Sequence, residues 1–244
     1  MDLGKRFRTA VAQAYDAETA CAELIPMVLS RACVEVLPIG GAGLSIPGRL
    51  RVPLGFSDGN AAQAERLQVT LGEGPCLAAM SSADPVVADL ESIGTWWPMF
   101  HHGLIGQTPF RSVVALPLLS PRERLRCGAL DLYLTTADPD ADFSPAFLAE
   151  IMDAIADPIA SALFEKPPAS SPPAEDLMPW LNTRSAMDRM RVWVAVAILI
   201  DHSGLSDSDA LAALRGYAFS HDTTLDDIAD ELRAERLMPQ SLLT

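Results

Sequence analysis

One proline-rich stretch divides the chain into a long and a short part. The ten residues from Lys166 to Glu175 hold four prolines and two serines. Proline lacks a backbone N–H and fixes its φ angle, so neither a helix nor a central strand continues through such a run. We therefore predict a folded domain at 1–165, a linker at 166–181 and a second folded domain at 182–244.

Composition and charge restrict the partners that the chain can bind. Hydrophobic residues make up 49% of the sequence and charged residues 20%, which is typical of a chain that folds around a core. The net charge of −14 opposes non-specific attraction to nucleic acid, because that attraction depends on Lys and Arg at phosphates. Any nucleic-acid surface would have to be a local cluster of arginines.

No segment of the sequence indicates export or membrane insertion. Gln13, Asp16 and Glu18 interrupt the apolar residues near the N-terminus, so a secretory signal is not expected. The longest apolar run, Val192 to Ile200, has nine residues. A helix that spans a bilayer needs about 20. We therefore expect a cytoplasmic protein without a membrane span.

The cysteines and histidines do not form a recognisable metal site. The chain has four cysteines, which are Cys21, Cys33, Cys76 and Cys127. They form no C-x-x-C pair and have no histidine at metal-ligand spacing, so neither a zinc site nor a disulfide framework is predicted. Adjacent side chains on a helix point in different directions, which argues against a metal site at His101–His102. We expect reduced thiols, no metal and no cofactor.

Apolar and alternating runs in the long part predict an antiparallel sheet. Two runs, Ser112–Leu118 and Cys127–Leu134, flank a basic loop at 121–126 and predict a long hairpin. Three further strands are predicted at Gly43–Ile46, Arg51–Phe56 and Pro85–Leu90.

Helical periodicity surrounds these strands. Helices are predicted at Asp16–Leu37, Asn60–Leu67, Trp97–Leu104 and Phe143–Phe164. Pro158 predicts a kink in the last of them, and Ser144 before Pro145 predicts its start. The order of elements predicts an α+β domain, an antiparallel sheet with helices packed on it.

The decapeptide at 67–76, LQVTLGEGPC, predicts a tight turn between two helices. Gly72 and Gly74 let the backbone turn on both sides of Glu73, and Pro75 fixes φ at the start of the next helix. The motif is first of all a structural turn. The alternative is that it also lines a ligand cavity, since such cavities lie near loops and helix N-termini.

This decapeptide, together with PVVADL at 85–90, WPMF at 97–100 and GALDLY at 128–133, resembles the GAF domain of actinobacterial regulators that combine GAF and ANTAR domains. The resemblance covers about residues 16–165 and implies a sensor for an unnamed small molecule. If the domain has a ligand cavity, we expect it among Asp89, Trp97, Phe100, Arg111, Ser112 and Asp131.

The short part resembles the ANTAR domain on ALAALRGYAFS at 210–220 and TLDDIA at 224–229. The ANTAR domain is a small all-α module of three helices that binds RNA and releases transcription from terminator hairpins. The resemblance therefore implies a dimeric antitermination regulator whose partners are RNA hairpins. Independently, Ser206 and Thr224 precede acidic residues and predict the N-caps of two helices.

The first predicted helix of this module departs from the family. Val192–Ile200 is apolar on every side, where the family has a polar His-Gln-Ala-x-Gly stretch. Residues 182–244 hold six arginines and ten acidic residues, a net charge of −4. RNA contact would therefore depend on local arginines, which pair with phosphates, and on a tyrosine, which stacks on a base. The candidates are Arg184, Arg189, Arg191, Arg215 and Tyr217.

Three functions stay open at this point. The first is a ligand-responsive, RNA-binding antiterminator. The second is a degenerate output module in which the Val192–Ile200 helix serves protein interaction or dimerisation, because an apolar helix must be buried by something. The third is an enzyme, by analogy with GAF-fold reductases that use cysteine thiols on methionine sulfoxide. Cys76 and Cys127 are the candidates, but a catalytic thiol needs a lowered pKa and no base is evident, so we expect no enzyme.

Overall fold

The structure is a computed structural model that describes residues 2–17, 25–48, 50–120, 124–139, 141–164 and 184–243. The predicted linker at 166–181, Cys21 and part of the predicted basic loop lie outside these residues. The domain boundaries therefore stay a prediction. We refer to the described part of 2–164 as the sheet domain and to 184–243 as the helical module.

Within the described residues, five strands form one antiparallel sheet in the order β2-β1-β5-β4-β3. The strands are β1 (Gly41–Ile46), β2 (Val52–Phe56), β3 (Val86–Ala88), β4 (Ser112–Leu119) and β5 (Arg126–Leu134). β4 and β5 form the predicted hairpin, in which Ser112 pairs with Leu134. All five predicted strands are confirmed, although β3 is shorter because Asp89 caps a helix that begins at Leu90.

Helices cover both faces of the sheet. They are α1 (Leu3–Ala17), α2 (Ile25–Val36), α3 (Gly59–Leu71), α4 (Pro75–Ser82), α5 (Leu90–Trp96), α6 (Pro98–Gln107), α7 (Pro145–Ile151) and α8 (Asp157–Phe164). Side chains alternate between the faces of a strand. Leu130, Leu132 and Leu134 accordingly pack in the core under α1, α2, α7 and α8. The odd-numbered Asp131 and Tyr133 point to the face that carries α3.

The predicted kink at Pro158 takes the form of a π-helical turn. Residues Met152–Ala156 form this turn between α7 and α8, directly before Pro158. A wider turn is one way for a helix to accommodate a proline, whose ring would otherwise crowd the carbonyl one turn back. The predicted cap is also present, since Ser144 accepts a hydrogen bond from the Phe147 N–H.

Three helices form the helical module, as predicted. They are α9 (Arg184–Ser203), α10 (Asp207–Ser220) and α11 (Leu225–Arg233), and a 3-10 turn follows at Pro239–Leu242. Ser206 and Thr224 are the N-caps of α10 and α11, and Thr224 forms a capping box with Asp227. The Val192–Ile200 run is helical. It is buried on one side only, where Val192, Val196 and Leu199 pack in the core of the module.

The helical module rests on the sheet domain. Helix α9 contacts β2, and α10 contacts α3. Leu50, next to β2, is 3% exposed and packs in the core of the helical module. The Leu225 N–H donates to Thr70 Oγ1 of α3 at 3.2 Å. Among the helices of the described residues, none combines the length and apolarity that a bilayer crossing requires.

Candidate functional site

The sheet face under α3 and α4 buries a set of polar side chains that we call the polar cluster. Its members are Arg51, Glu65, Gln68, Asp131 and Tyr133. Arg51 is 4% exposed and the other four are fully buried. Arg51 directly precedes β2, two members lie one turn apart on α3, and two lie on the same face of β5. The cluster therefore joins three elements that are distant in sequence.

Hydrogen bonds connect all five side chains. Arg51 Nη2 pairs with the Glu65 carboxylate and lies 3.0 Å from Asp131 Oδ2. Gln68 Nε2 donates to Asp131 Oδ2 at 2.9 Å and to the Tyr133 hydroxyl at 3.0 Å. The Tyr133 hydroxyl donates to Glu65 Oε1 at 2.7 Å. The guanidinium is thus held between two carboxyl groups in the interior of the domain.

Burial and charge decide the protonation of the cluster. Burial raises the pKa of Asp131 well above its ordinary value, and the neighbouring Glu65 raises it further, while Arg51 opposes both. Burial acts to lower the pKa of Arg51, but the groups around it, Glu65 and Asp131 among them, raise that pKa overall. Burial therefore favours the protonated form of Asp131, beside a guanidinium that keeps its positive charge.

Two buried atoms of the cluster have no hydrogen-bond partner among the described residues. They are Arg51 Nη1 and Asp131 Oδ1. A buried polar group without a partner costs about 1–3 kcal/mol, and such groups are usually matched by a water or a ligand. An acceptor at Nη1 and a hydrogen-bond partner at Oδ1 would satisfy the two atoms.

The six residues predicted to bind a ligand lie in three different places. Asp131 belongs to the polar cluster. Phe100 is fully buried in an apolar core that also contains Tyr133, and Trp97 packs against that core. The other three, Asp89, Arg111 and Ser112, lie towards the ends of β3 and β4.

Those three side chains form local structural hydrogen bonds. Asp89 accepts from the Ser92 N–H at 2.7 Å as the N-cap of α5. Arg111 donates to two backbone carbonyls, and the Ser112 hydroxyl donates to a third at 2.7 Å. Asp89 also borders an open cavity of about 430 Å³, together with Leu90, Glu91, His101, Ala137 and Asp138.

Four members of the polar cluster were not among the predicted site residues: Arg51, Glu65, Gln68 and Tyr133. One signal in the sequence pointed to two of the cluster residues. Asp131 and Tyr133 alternate with leucines in a strand that is apolar on its other face. Polar residues at such spacing mark one face of a buried strand as different from the other.

The motif at 67–76 forms the predicted turn. Gly72 ends α3 with φ of 71°, and Gly74 has φ of 135° before Pro75 begins α4. Positive φ angles of this kind favour glycine.

The same motif also caps three other helices. The first N–H groups of a helix have no acceptor within that helix, so they need one from elsewhere. Three side chains of the motif supply it. Gln68 Oε1 accepts from the Cys76 N–H of α4 (3.1 Å), Glu73 Oε1 from the Phe100 N–H of α6 (2.8 Å), and Thr70 Oγ1 from the Leu225 N–H of α11 (3.2 Å).

The two candidate thiols lie in different environments. Cys76 is buried and packs with Ala115 and Ala129, whereas Cys127 packs against the core on the other side of the sheet. Burial raises the pKa of Cys76 well above its ordinary value and that of Cys127 to about 11. Both thiols are therefore protonated at neutral pH.

Among the predicted RNA-contacting residues, the structure describes the side chains of Arg191, Arg215 and Tyr217. Arg191 forms an ion pair with Asp230 at 3.4 Å. Arg215 lies against Gly72 of the sheet domain, where an added Cβ would collide with its guanidinium. Tyr217 stacks on His221, with ring centroids 3.8 Å apart. Arg184 and Arg189 belong to α9, but their side chains lie outside the described residues.

Comparison with known proteins gives weak likenesses. No family model and no curated protein matches the chain. A GAF domain of a phosphoenolpyruvate-protein phosphotransferase from Coxiella burnetii is 15% identical, with a TM-score of 0.46 over 65% of this chain and 93% of that one. The corresponding Acinetobacter domain is 12% identical, with a TM-score of 0.47 over 65% and 90%.

A free methionine-R-sulfoxide reductase from Neisseria meningitidis, solved in complex with its substrate, is 16% identical to this chain. Its TM-score is 0.43, over 66% of this chain and 92% of that one. Identity and TM-score are too low in all three cases to assign a family or a function.

Proposed function

We propose that the chain is a cytoplasmic, signal-responsive regulator of transcription antitermination. The sheet domain is a GAF-like sensor of a small molecule, and the helical module is an ANTAR-like output domain that binds RNA hairpins as a homodimer. The observation that supports the sensor best is the polar cluster, with two buried atoms that have no hydrogen-bond partner in the described part of the chain.

Burying the polar cluster in the core costs desolvation free energy. Replacing a buried ion pair by apolar residues of similar volume is often neutral or stabilising. Stability alone therefore does not account for a guanidinium and two carboxyl groups under α3. A binding role does, because a ligand with an acceptor beside a donor would satisfy Arg51 Nη1 and Asp131 Oδ1.

Thermal unfolding of the full chain tests this proposal. The compounds are cyclic AMP, cyclic GMP, biliverdin and the twenty free amino acids, each at millimolar concentration where solubility allows. A ligand present at 100 times its Kd adds about 2.7 kcal/mol of stability, which gives a clear rise in Tm. We expect a rise with one of these compounds, and its loss in Asp131→Ala. The exposed Asp153→Ala is the matched control. A rise of the same size in Asp131→Ala would contradict the assignment of the site, and no rise with any compound would count against the sensor.

The output proposal concerns α9 and α10. The residues that we propose for RNA contact are Arg184, Arg189, Arg191, Arg215 and Tyr217. Arg215 is the most informative, because burial lowers its pKa and its Nε has no hydrogen-bond partner among the described residues. An arginine without an acceptor in an acidic module is suited to a phosphate oxygen. In the present arrangement Arg215 is partly buried against Gly72 of the sheet domain, and we propose that the module moves when the buried Nε contacts RNA.

One alternative output is supported by a specific observation. On α9, Met190 is 62% exposed and Val194, one turn later, is 50% exposed. An exposed apolar stripe of this kind suits a protein-interaction or dimerisation surface in a module that does not bind RNA.

A gel-shift experiment on the full chain separates the two outputs. If RNA is the partner, a tandem-hairpin RNA binds at 50 mM salt and binds much more weakly at 200 mM, because counterions compete with arginine. Arg215→Gln should weaken binding, whereas Arg233→Gln, which changes an exposed arginine of α11, should have less effect. No binding to any tandem-hairpin RNA at low salt, with a dimer in light scattering that Val194→Lys makes monomeric, would favour the alternative.

We also propose that the chain is not an enzyme. A catalytic thiol needs a lowered pKa, whereas burial raises the pKa of both Cys76 and Cys127. The two thiols also pack in cores on different sides of the sheet. Reduction of free methionine sulfoxide by the chain, abolished by Cys76→Ser, would contradict this proposal.

A further inference from the structure

We propose that the segment 68–74, which we call the coupling segment, links the polar cluster to the docking of the helical module. A rearrangement of the cluster would release the module from the sheet domain and uncover Arg215. This inference rests on the proposed function, because it concerns the regulation of the same site.

The first support is that two side chains of α3 each cap the N-terminus of another helix, α4 in one case and α11 in the other. Gln68 and Thr70 are both fully buried and lie two positions apart in the last turn of α3. Gln68 donates to Asp131 in the polar cluster and accepts from the Cys76 N–H. Thr70 accepts from the Leu225 N–H of the helical module. A shift or rotation of this turn would therefore alter the polar cluster and the docking contact together.

The second support is that one residue of the module core and one residue of the polar cluster are neighbours in the sequence. Leu50 packs in the core of the helical module, and Arg51 is the cation of the polar cluster. The two are covalently adjacent and both are nearly inaccessible to solvent. A shift of the backbone at Arg51 would therefore also move Leu50. The cluster and the module are thus connected at two points that are separate in sequence.

The third support is the cost of burying Arg215. Its guanidinium lies against Gly72, and its Nε has no partner among the described residues. A buried donor without a partner opposes docking. At the edge of the contact, His102 and Asp222 are mostly exposed and 3.7 Å apart, and exposed pairs of this kind contribute little. A docked state held by few strong contacts is one that a modest change at the cluster can shift.

Hydrogen exchange of single amides in the full chain tests the coupling. The exchange rate of the Leu225 N–H shows whether the module is docked, because its acceptor is Thr70 of the sheet domain. The exchange rate of the Cys76 N–H shows whether the polar cluster is intact, because its acceptor is Gln68. Tyr133→Phe removes the hydroxyl that bridges Glu65 and Gln68 and keeps the ring. We expect it to accelerate exchange at both amides by at least about fivefold, the lower end of typical coupling between sites. The amide of Leu132 in β5 should keep its protection, which excludes global unfolding.

The reverse perturbation starts at the module. Leu50→Ala removes the apolar anchor and leaves the polar cluster chemically intact. Coupling is reciprocal, so this variant should accelerate exchange at Cys76 as well as at Leu225. It also keeps the test decisive if Tyr133→Phe does not fold. Ile159→Val is the matched control, a buried change on α8 that should leave the ratio of the two exchange rates unchanged.

Two outcomes would overturn the inference. One is faster exchange at Cys76 in Tyr133→Phe with no change at Leu225. The other is a Leu225 amide that already exchanges at the unprotected rate in the unmodified chain, because the module would then not dock. Neither a small molecule nor RNA is present in this experiment. A failed ligand or RNA screen therefore leaves the coupling result valid, and a lack of coupling leaves any binding result valid.

Discussion

Arg51→Met is expected to lower the free energy of unfolding by about 3–5 kcal/mol, the usual effect of removing one partner from a buried ion pair. The guanidinium contacts Glu65 and Asp131, and both carboxyl groups are fully buried. Methionine fills a similar volume but removes the cation from beside the two buried carboxyl groups. Urea unfolding of the full chain, followed by circular dichroism, measures the change.

A control and a rescue variant make this prediction specific. Arg66→Met changes the exposed arginine that follows Glu65 and should alter stability by less than about 0.5 kcal/mol. Adding Glu65→Leu to Arg51→Met removes the carboxyl group that has lost its cation and should recover a large part of the loss. If Arg51→Met cost less than about 1 kcal/mol, Arg51 could not be a fully desolvated partner of the two acids.

Asp131→Asn is expected to flatten the pH dependence of stability. The pKa of Asp131 is raised well above its ordinary value of 3.8 in the folded chain, chiefly by burial. Above pH 4 the folded state therefore holds a proton that the unfolded state has lost. Stability is highest below the ordinary pKa and falls as the pH rises towards the raised pKa, by up to about 1.4 kcal/mol per pH unit.

Asparagine resembles the protonated acid, because it has a donor group and an acceptor group but no proton to lose. The unfolding free energy of Asp131→Asn should therefore change little between pH 5 and pH 7, whereas that of the unmodified chain declines. Asp153→Asn, on the exposed side of the π turn, should keep the decline. Parallel curves for the Asp131→Asn and unmodified chains would mean that Asp131 is ionised in the folded state.

Much of the fold could be predicted because its signals are local. The β4–β5 hairpin follows from two apolar runs, and the caps at Ser144, Ser206 and Thr224 each lie next to the helix they begin. Helix α1 was not predicted before residue 16, although Leu3, Phe7 and Ala10 lie on one face at helical spacing and are buried.

The polar cluster could be predicted only in part, because its partners are distant in sequence. Arg51 is 14 residues from Glu65 and 80 from Asp131. Alternation along β5 places Asp131 and Tyr133 on one face, but no local pattern assigns Arg51 to them. Thr70 is even further from its partner in sequence, because the Leu225 N–H that donates to it lies 155 residues later. Its role depends on how the helical module docks, which local propensity does not encode.

The cap that Thr70 provides to α11 has a practical consequence for work on fragments. A recombinant fragment that begins after the linker would lack Thr70, the acceptor for the Leu225 N–H. It would also lack Leu50, which packs in the core of the helical module. The Leu225 N–H would be left to water, although Thr224 and Asp227 would still cap α11, and apolar side chains that pack against Leu50 would be exposed. Affinities or oligomeric states measured on such a piece would describe a damaged module, so the intact polypeptide is the proper object for every binding assay.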